Sequence, residues 1–366
     1  MSNNIEALRL WLCEQWPSVP VQAFLGRCSD PAAEPVPQWQ ALGGDAGFRQ
    51  YFRLHCEPSI LAVFAPPATE DSEAFIRIAE HLEVTGVAAP RVLAFDVRQG
   101  FLLVEDLGDE LLSSRLSESS VGALYGHAMS TLLKIQCSKK SSAIFPDYSA
   151  EKLLSEMSLF REWFLPELLA YQVTSAESKI LDKWFALLVD SAMEQPKVVV
   201  HRDYHSRNLI FRGDQEPGVI DFQDAVIGPF TYDLVSLLRD CYICWPPEQV
   251  KAWALEYFQK SASALGLTGI SESQFLTWFD WMGLQRHIKV LGIFARLSLR
   301  DGKHAYLSDL PLVIAYVKEV ANRYSEAEEF VAFFDAKLMP LIEGQSWYRH
   351  IASGSSNVHQ HQSGAA

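Results

Sequence analysis

The stretch His201-Arg202-Asp203-Tyr204-His205-Ser206-Arg207-Asn208, with Ile220-Asp221-Phe222-Gln223 a short hairpin later, decides how the rest of this chain is read. Val198 to His201 reads as a strand, and Asn208 to Phe211 and Gly218 to Ile220 as the two arms of the hairpin. An aspartate therefore stands on a loop after a strand, an asparagine follows five residues on, and a second aspartate closes the hairpin. In that setting Asp203 can accept the proton of an attacking hydroxyl. Asn208 and Asp221 are hard oxygen donors of the kind magnesium prefers. Phosphoryl transfer asks little more of a protein than a nucleophile held in line and cations to neutralise a triphosphate, so the spacing points to that chemistry.

Upstream, the pattern is that of a small sheet. Ile5 to Trp16 carries apolar residues at helical spacing and stops at Pro17. A proline-rich segment, Pro31 to Pro37, leads to strand-like runs at Trp39 to Leu42, Phe48 to Leu54 and Ile60 to Phe64, with Gly43-Gly44-Asp45-Ala46-Gly47 between the first two. Glu70 to Val84 reads as a helix with acidic residues in its first turn; Arg91 to Phe95 and Phe101 to Val104 are two more apolar runs. From Leu111 to Gln195, and again from Tyr232 to about Leu341, the apolar period is helical. These patterns predict an α+β protein of two lobes. Residues 1–106 form a small sheet lobe with one main helix, residues 107–350 a larger, mostly helical lobe carrying the Asp203 loop, and residues 351–366 a flexible tail of Gly, Ser, Gln and His.

Composition narrows the function classes. Of 366 residues, 49% are hydrophobic and 21% charged, which excludes a mostly disordered chain. No apolar run approaches the ~20 residues that span a bilayer, and the N-terminus has neither a basic segment nor a secretory apolar core, so a cytoplasmic protein without a membrane partner is expected. A net charge of -14 has the wrong sign for general nucleic-acid binding. Cys241 and Cys244 form a Cys-x-x-Cys, but no second pair or nearby histidine completes a zinc site, and in an apolar setting they read as two reduced core thiols.

One segment departs from the acidic average. Trp281 to Ala305 holds five Lys or Arg and one acidic residue. Arg286, Lys289, Arg296 and Arg300 fall within about 80° of arc on a helix. Such a face either meets an anionic acceptor or is merely solvated. Alternation along Phe48 to Leu54 puts Arg49, Tyr51 and Arg53 on one face and Phe48, Gln50, Phe52 and Leu54 on the other.

The order H-R-D-x-x-x-x-N and then D-F is the protein-kinase signature, and the loop resembles that of the aminoglycoside phosphotransferase and kinase-like superfamily. The likeness covers roughly residues 5 to 350. Gly44-Asp45-Ala46-Gly47-Phe48-Arg49-Gln50-Tyr51-Phe52-Arg53, Ala65-Pro66-Pro67, Glu105-Asp106-Leu107-Gly108 and Ile220-Asp221-Phe222-Gln223-Asp224-Ala225 are similar to one bacterial branch of it. So are Gln285-Arg286-His287-Ile288-Lys289-Val290-Leu291-Gly292, Arg300-Asp301-Gly302-Lys303 and Tyr306-Leu307-Ser308-Asp309-Leu310-Pro311. That branch includes kinases of cell-wall amino sugars. The resemblance implies a two-lobed protein-kinase-like fold with an antiparallel sheet, ATP and Mg2+ as cofactors, and a monomer. It also implies a small amino sugar as partner: N-acetylmuramic acid or N-acetylglucosamine, phosphorylated at the anomeric hydroxyl for peptidoglycan recycling.

The same resemblance makes Asp203 the catalytic base and Asn208 and Asp221 the magnesium ligands. It has Gly43, Gly44 and Gly47 cover the phosphates, backbone groups of Glu105 and Leu107 pair with adenine at the hinge, and Asp233 in Tyr232-Asp233-Leu234 brace the catalytic loop. His201 reads as a loop-bracing histidine. His205 contacts a phosphate or the acceptor, or else fixes the loop; Asp224, beside Asp221, accepts from a sugar hydroxyl or makes a structural hydrogen bond. A kinase carries a lysine on its third strand, and Ile60-Leu61-Ala62-Val63-Phe64 has none; Arg49 and Arg53 are the local candidates to replace it, or else solvated arginines. Arg286, Lys289 and Arg300 are candidate contacts for an acidic sugar, which weighs against an antibiotic phosphotransferase with polycationic acceptors. A silent nucleotide-binding scaffold is the third alternative; the missing lysine suggests it and the intact Asp203, Asn208 and Asp221 set opposes it.

Overall fold

A computed structural model of the chain describes residues 2–26, 36–43, 48–351 and 357–358. The chain divides into two compact units, Met1–Leu112 with Arg207–Ala225, and Ser113–Ser206 with Val226–Ala366.

In the first unit, α1 (Ser2–Gln15) and α2 (Val19–Phe24) precede strands β1 (Trp39–Ala41), β2 (Gln50–Leu54) and β3 (Ile60–Phe64), then α3 (Ser72–Val84), β4 (Val92–Asp96) and β5 (Phe101–Glu105). The strands form one antiparallel sheet in the order β1-β2-β3-β5-β4. Its β3 is a continuous apolar run because both faces are covered. Ile60, Ala62 and Phe64 pack with Leu8, Trp11 and Trp16 of the N-terminal segment, while Val63 packs with Ile76 of α3. Helix α3 starts two residues later than the sequence suggests, because the Asp71 side chain caps it by accepting the Ala74 amide at 2.9 Å.

The hairpin Leu209–Ile210/Gly218–Val219, which the sequence reading leaves with the helices, groups with this sheet unit. The Phe211 amide donates to the Glu110 carbonyl and the Val219 amide to the Ala88 carbonyl, both at 2.7 Å. The Phe222 ring stacks on Phe75 with centroids 4.9 Å apart.

The second unit is built from α4 (Val121–Cys137), α5 (Ala150–Leu159), α6 (Ser175–Glu194), β6 (Lys197–Val200), α7 (Tyr232–Leu238), α8 (Pro247–Ala264), α9 (Glu272–Asp301) and α10 (Leu310–Ala321). Beyond α5 the helix continues with π geometry over Phe160–Leu168. The sequence reading has no partner for β6; Val226–Pro229 pairs with it antiparallel, although its Gly-Pro ending reads as a turn. Helix α9 is the spine, and every residue from Trp278 to Gly292 is buried. At Gly292 a Cβ would lie 2.3 Å from the Leu159 carbonyl carbon, so only glycine lets α9 and the end of α5 touch backbone to backbone.

Asn357–Val358 pairs with Ile243–Cys244. The remainder of the expected tail, 352–356 and 359–366, lies outside the described residues, as do Gly44 and Gly47 of the expected glycine turn. Cys241 and Cys244 are free thiols in the core, and burial pushes Cys241 up to about 11. Among the described residues no helix is long and apolar enough to cross a membrane.

Candidate active site

In the second unit, β6 ends in three buried valines and delivers the chain to His201. Arg202 then adopts φ +78°, a left-handed conformation that an L-residue holds only when its surroundings compensate. Asp233, in the first turn of α7, accepts the amides of His201 at 2.6 Å and Arg202 at 3.0 Å. The Asp203 amide donates to His201 Nδ1 at 3.3 Å. Further along, the amide and hydroxyl of Ser206 donate to Asp240 at 3.1 and 2.5 Å. Two buried carboxylates thus fix the loop on either side of Asp203.

Asp203 keeps part of its surface open. Burial on its own would raise its carboxyl, but Lys289, His205, Arg286 and Arg202 together outweigh it and hold Asp203 below the ordinary aspartate value. It is therefore an ionised acceptor at neutral pH. Behind it lies a buried network. Lys289 Nζ stands 3.1 Å from Glu156 Oε2 and donates to the Tyr232 hydroxyl at 3.0 Å. Arg202 Nη2 reaches Glu156 Oε1 at 2.5 Å, the Tyr148 hydroxyl donates to Glu156, and Arg286 donates to Cys241 Sγ at 3.4 Å. Burial works against a charged Lys289, but Tyr232, Glu156 and Asp203 reverse this and raise its pKa. His205 meets the Tyr242 ring edge-on at 5.5 Å.

In the first unit, Asp221 also has a left-handed backbone, φ +64°. Its Oδ2 accepts from Asn208 Nδ2 at 3.4 Å and its Oδ1 from Gln223 Nε2 at 2.7 Å. Gln223 Oε1 in turn accepts from Arg49 Nη1 at 3.2 Å, while Arg49 Nε pairs with Glu70 at 2.9 Å and the guanidinium covers the Phe75 ring at 5.0 Å. Arg49 Nη2 is buried without a partner. Among the described residues no group of three or more His, Cys, Asp or Glu side chains could hold a metal alone. Magnesium needs none, since it keeps waters and phosphate oxygens beside one or two protein ligands. Adjacent Asn208 and exposed Asp221 fit that requirement.

The remaining expected residues separate. Arg53 is held by Asp106 at 2.5 Å and Asp109 at 2.9 Å, and Asp106 also accepts from Ser59 and the Gly108 amide. Arg53 thereby ties β2 to the segment after β5. Glu105 pairs with Arg91 at 2.9 Å, and the Leu107 side chain covers Gly218, where a Cβ would come within 2.9 Å of it. Gly43 and Asp224 are exposed. Arg286 and Lys289 join Asp203, whereas Arg300 sits at the exposed end of α9 with both guanidinium contacts on Asp301, at 2.7 and 2.8 Å. Sequence reasoning missed Glu156, Tyr148 and Asp240 in the loop network and Glu70 and Gln223 as partners of Arg49. The acidic start expected for α3 was the one local signal, and it pointed to helix capping rather than to an arginine.

The profile of the phosphotransferase enzyme family matches residues 38–268. The N-acetylmuramate/N-acetylglucosamine kinases of Pseudomonas putida and Pseudomonas aeruginosa are each 38% identical to this chain, over 328 and 330 residues, covering 89% of this chain and 94% of each kinase. Among solved structures, an aminoglycoside phosphotransferase with bound ADP resembles it with a TM-score of 0.53 over 78% of this chain and 94% of that one. Their identity of 16% makes this a likeness of fold.

Proposed function

This chain belongs to the phosphotransferase enzyme family, and we propose that it transfers the γ-phosphoryl group of ATP to the anomeric hydroxyl of N-acetylmuramic acid and N-acetylglucosamine, giving sugar 1-phosphates for peptidoglycan recycling. The observation that carries the chemistry is Asp203, an aspartate kept ionised by Lys289, Arg286 and Arg202, with His205 beside it, on a loop braced by buried carboxylates. The choice of acceptor is supported by the likeness to kinases named for those two sugars.

Asp203 orients the sugar hydroxyl and takes its proton as the oxygen bonds to the γ-phosphorus; the bond to the β–γ bridging oxygen breaks and ADP leaves. Asn208 and Asp221 would hold magnesium, which when bound neutralises charge on the phosphates. Arg49 supplies the cation that β3 lacks. Glu70 fixes it as a glutamate fixes the lysine of a kinase, and its unpartnered Nη2 is a donor left over for a phosphate oxygen. The amides of Gly43, Gly44 and Gly47 cover the phosphates, backbone groups of Glu105 and Leu107 take the adenine edge, and His205 and Asp224 contact the acceptor. MgATP is a cytoplasmic pool, and the enzyme acts there as a monomer.

The test is ADP release from MgATP with N-acetylmuramic acid, N-acetylglucosamine and kanamycin as acceptors, with proton-coupled phosphorus NMR of the product. Turnover on the N-acetyl sugars with a sugar 1-phosphate signal is expected. Turnover on kanamycin alone would make the protein an antibiotic phosphotransferase, and silence on all three would leave a nucleotide-binding scaffold. Asp203→Asn should abolish turnover while MgADP binds within about threefold of wild type.

A further inference from the structure

Glu156 has no part in the chemistry above, yet the cations around Asp203 meet on it. It lies on α5 with its side chain 8% exposed. One oxygen takes Arg202 at 2.5 Å, the other takes Lys289 at 3.1 Å, and the Tyr148 hydroxyl donates to it as well. The Arg202 guanidinium also covers the Tyr148 ring at 5.4 Å, and the Lys289 ammonium lies 5.7 Å from the Tyr232 ring centroid. Arg202 and Lys289 therefore each face two carboxylates, Asp203 and Glu156.

We propose that Glu156 is a positioning residue for the base: it anchors Arg202 and Lys289 and so sets the orientation in which Asp203 meets the acceptor hydroxyl. The inference rests on Asp203 being the base. A buried cation must have an anion beside it, and Glu156 serves two. Asp203 faces Arg202 and His205 of its own loop, Lys289 and Arg286 of α9 and Asp233 of α7. Without Glu156, Asp203 is the carboxylate to which both Arg202 and Lys289 can turn. Arg202 is also the residue directly before the base, with its left-handed backbone held by Asp233. Clamping its side chain on α5 and its amide on α7 fixes the direction in which Asp203 leaves the loop. A role in packing alone would need only the shape of the side chain, which glutamine supplies.

The experiment compares steady-state kinetics and thermal unfolding of Glu156→Gln, Glu156→Asp, the double variant Glu156→Gln/Lys289→Met, and Asp203→Asn. Glu156→Gln should lower kcat about 10²-fold, with KM for MgATP and for the sugar changed by less than about threefold. Glu156→Asp should recover part of that loss. The double variant removes one anion and one cation together, and should regain about tenfold over Glu156→Gln. Wild-type kcat in Glu156→Gln, a loss carried equally by KM, or a double variant no better than the single one would overturn the proposal. Should Glu156→Gln not fold, the kcat of Glu156→Asp and of the double variant decides: wild-type kcat in both overturns it, and a drop in kcat at constant KM supports it. Substantial turnover by Asp203→Asn would instead remove the base assignment itself, whatever Glu156 does.

Discussion

The Asp233 carboxylate accepts the Arg202 amide at 3.0 Å where Arg202 stands at φ +78°, so an acid from α7 holds the strained backbone step immediately before Asp203. The Asp233 side chain takes the His201 amide too, at 2.6 Å, and is fully buried. Burial pushes its carboxyl up to about 7, with the two amide donors pulling the other way.

That balance predicts a pH-dependent stability. The folded value near 7 stands above the ordinary 3.8, so across that window the folded state binds more protons than the unfolded one. The group's stabilisation is complete below the window and is lost as pH rises through it. Asp233→Asn should cost about 1–3 kcal/mol in urea unfolding, since the asparagine NH2 would face one of the two backbone amides and cannot accept from it. The advantage of wild type over this variant should shrink from about pH 4.5 to pH 8. A difference that does not vary with pH would contradict the assignment.

Asp203 behaves oppositely. Its carboxyl lies below the ordinary value, so it should contribute no acid limb to kcat/KM in the usual carboxylate range. Lys289 leads the cations that keep it there. Lys289→Met should therefore move the acid limb upward, read from kcat/KM between about pH 4.5 and 8. An acid limb already present at the ordinary carboxylate value in wild type would show that Asp203 is not held as described.

Arg49, just before β2, and Arg53, within it, should fail differently. Arg49→Met removes the unpartnered Nη2 donor proposed to meet a phosphate and should weaken MgADP binding about tenfold by calorimetry. Arg53→Met leaves Asp106, whose side chain is 3% exposed, with only Ser59 and the Gly108 amide. The expected result is a loss of about 1–3 kcal/mol in stability, with nucleotide affinity affected less than in Arg49→Met. Unchanged MgADP affinity in Arg49→Met would take that residue out of the nucleotide site.

Gly292→Ala tests the spine. Its Cβ would meet the Leu159 carbonyl carbon at 2.3 Å and the Phe160 nitrogen at 2.5 Å, both backbone atoms. Helix α9 must then move from the end of α5, at a cost of about 1–3 kcal/mol. Because Lys289 and Glu156 ride on these two helices, kcat should fall with the unfolding midpoint. An alanine variant as stable and active as wild type would mean that the contact is looser than described.

Much of the fold was legible because its signals are local. The apolar period of α9, the β2 alternation and the hairpin after Asn208 are set by neighbours a few residues apart. Val226–Pro229 escaped because its Gly-Pro ending outweighs a two-residue apolar start, and only pairing with β6 makes it a strand. Glu70 and Gln223 escaped for a related reason. Each is a polar residue at a boundary, and what marks it is the Arg49 guanidinium brought from another part of the chain.

The sequence by itself determined the phosphoryl-transfer chemistry. The order of Asp203, Asn208 and Asp221 along a strand, loop and hairpin is a matter of covalent spacing, which needs no distant contact to be read. Only the tertiary structure decided which charges lie beside Asp203. Arg286, Lys289 and Arg300 share one helix face, yet the first two act on Asp203 and the third pairs with Asp301 at the exposed helix end. Arg49 and Arg53 likewise alternate identically and take different acids. Periodicity gives the direction in which a side chain leaves its backbone. The partner is whichever carboxylate the rest of the fold brings within about 3 Å, and the low dielectric of the interior makes that contact count.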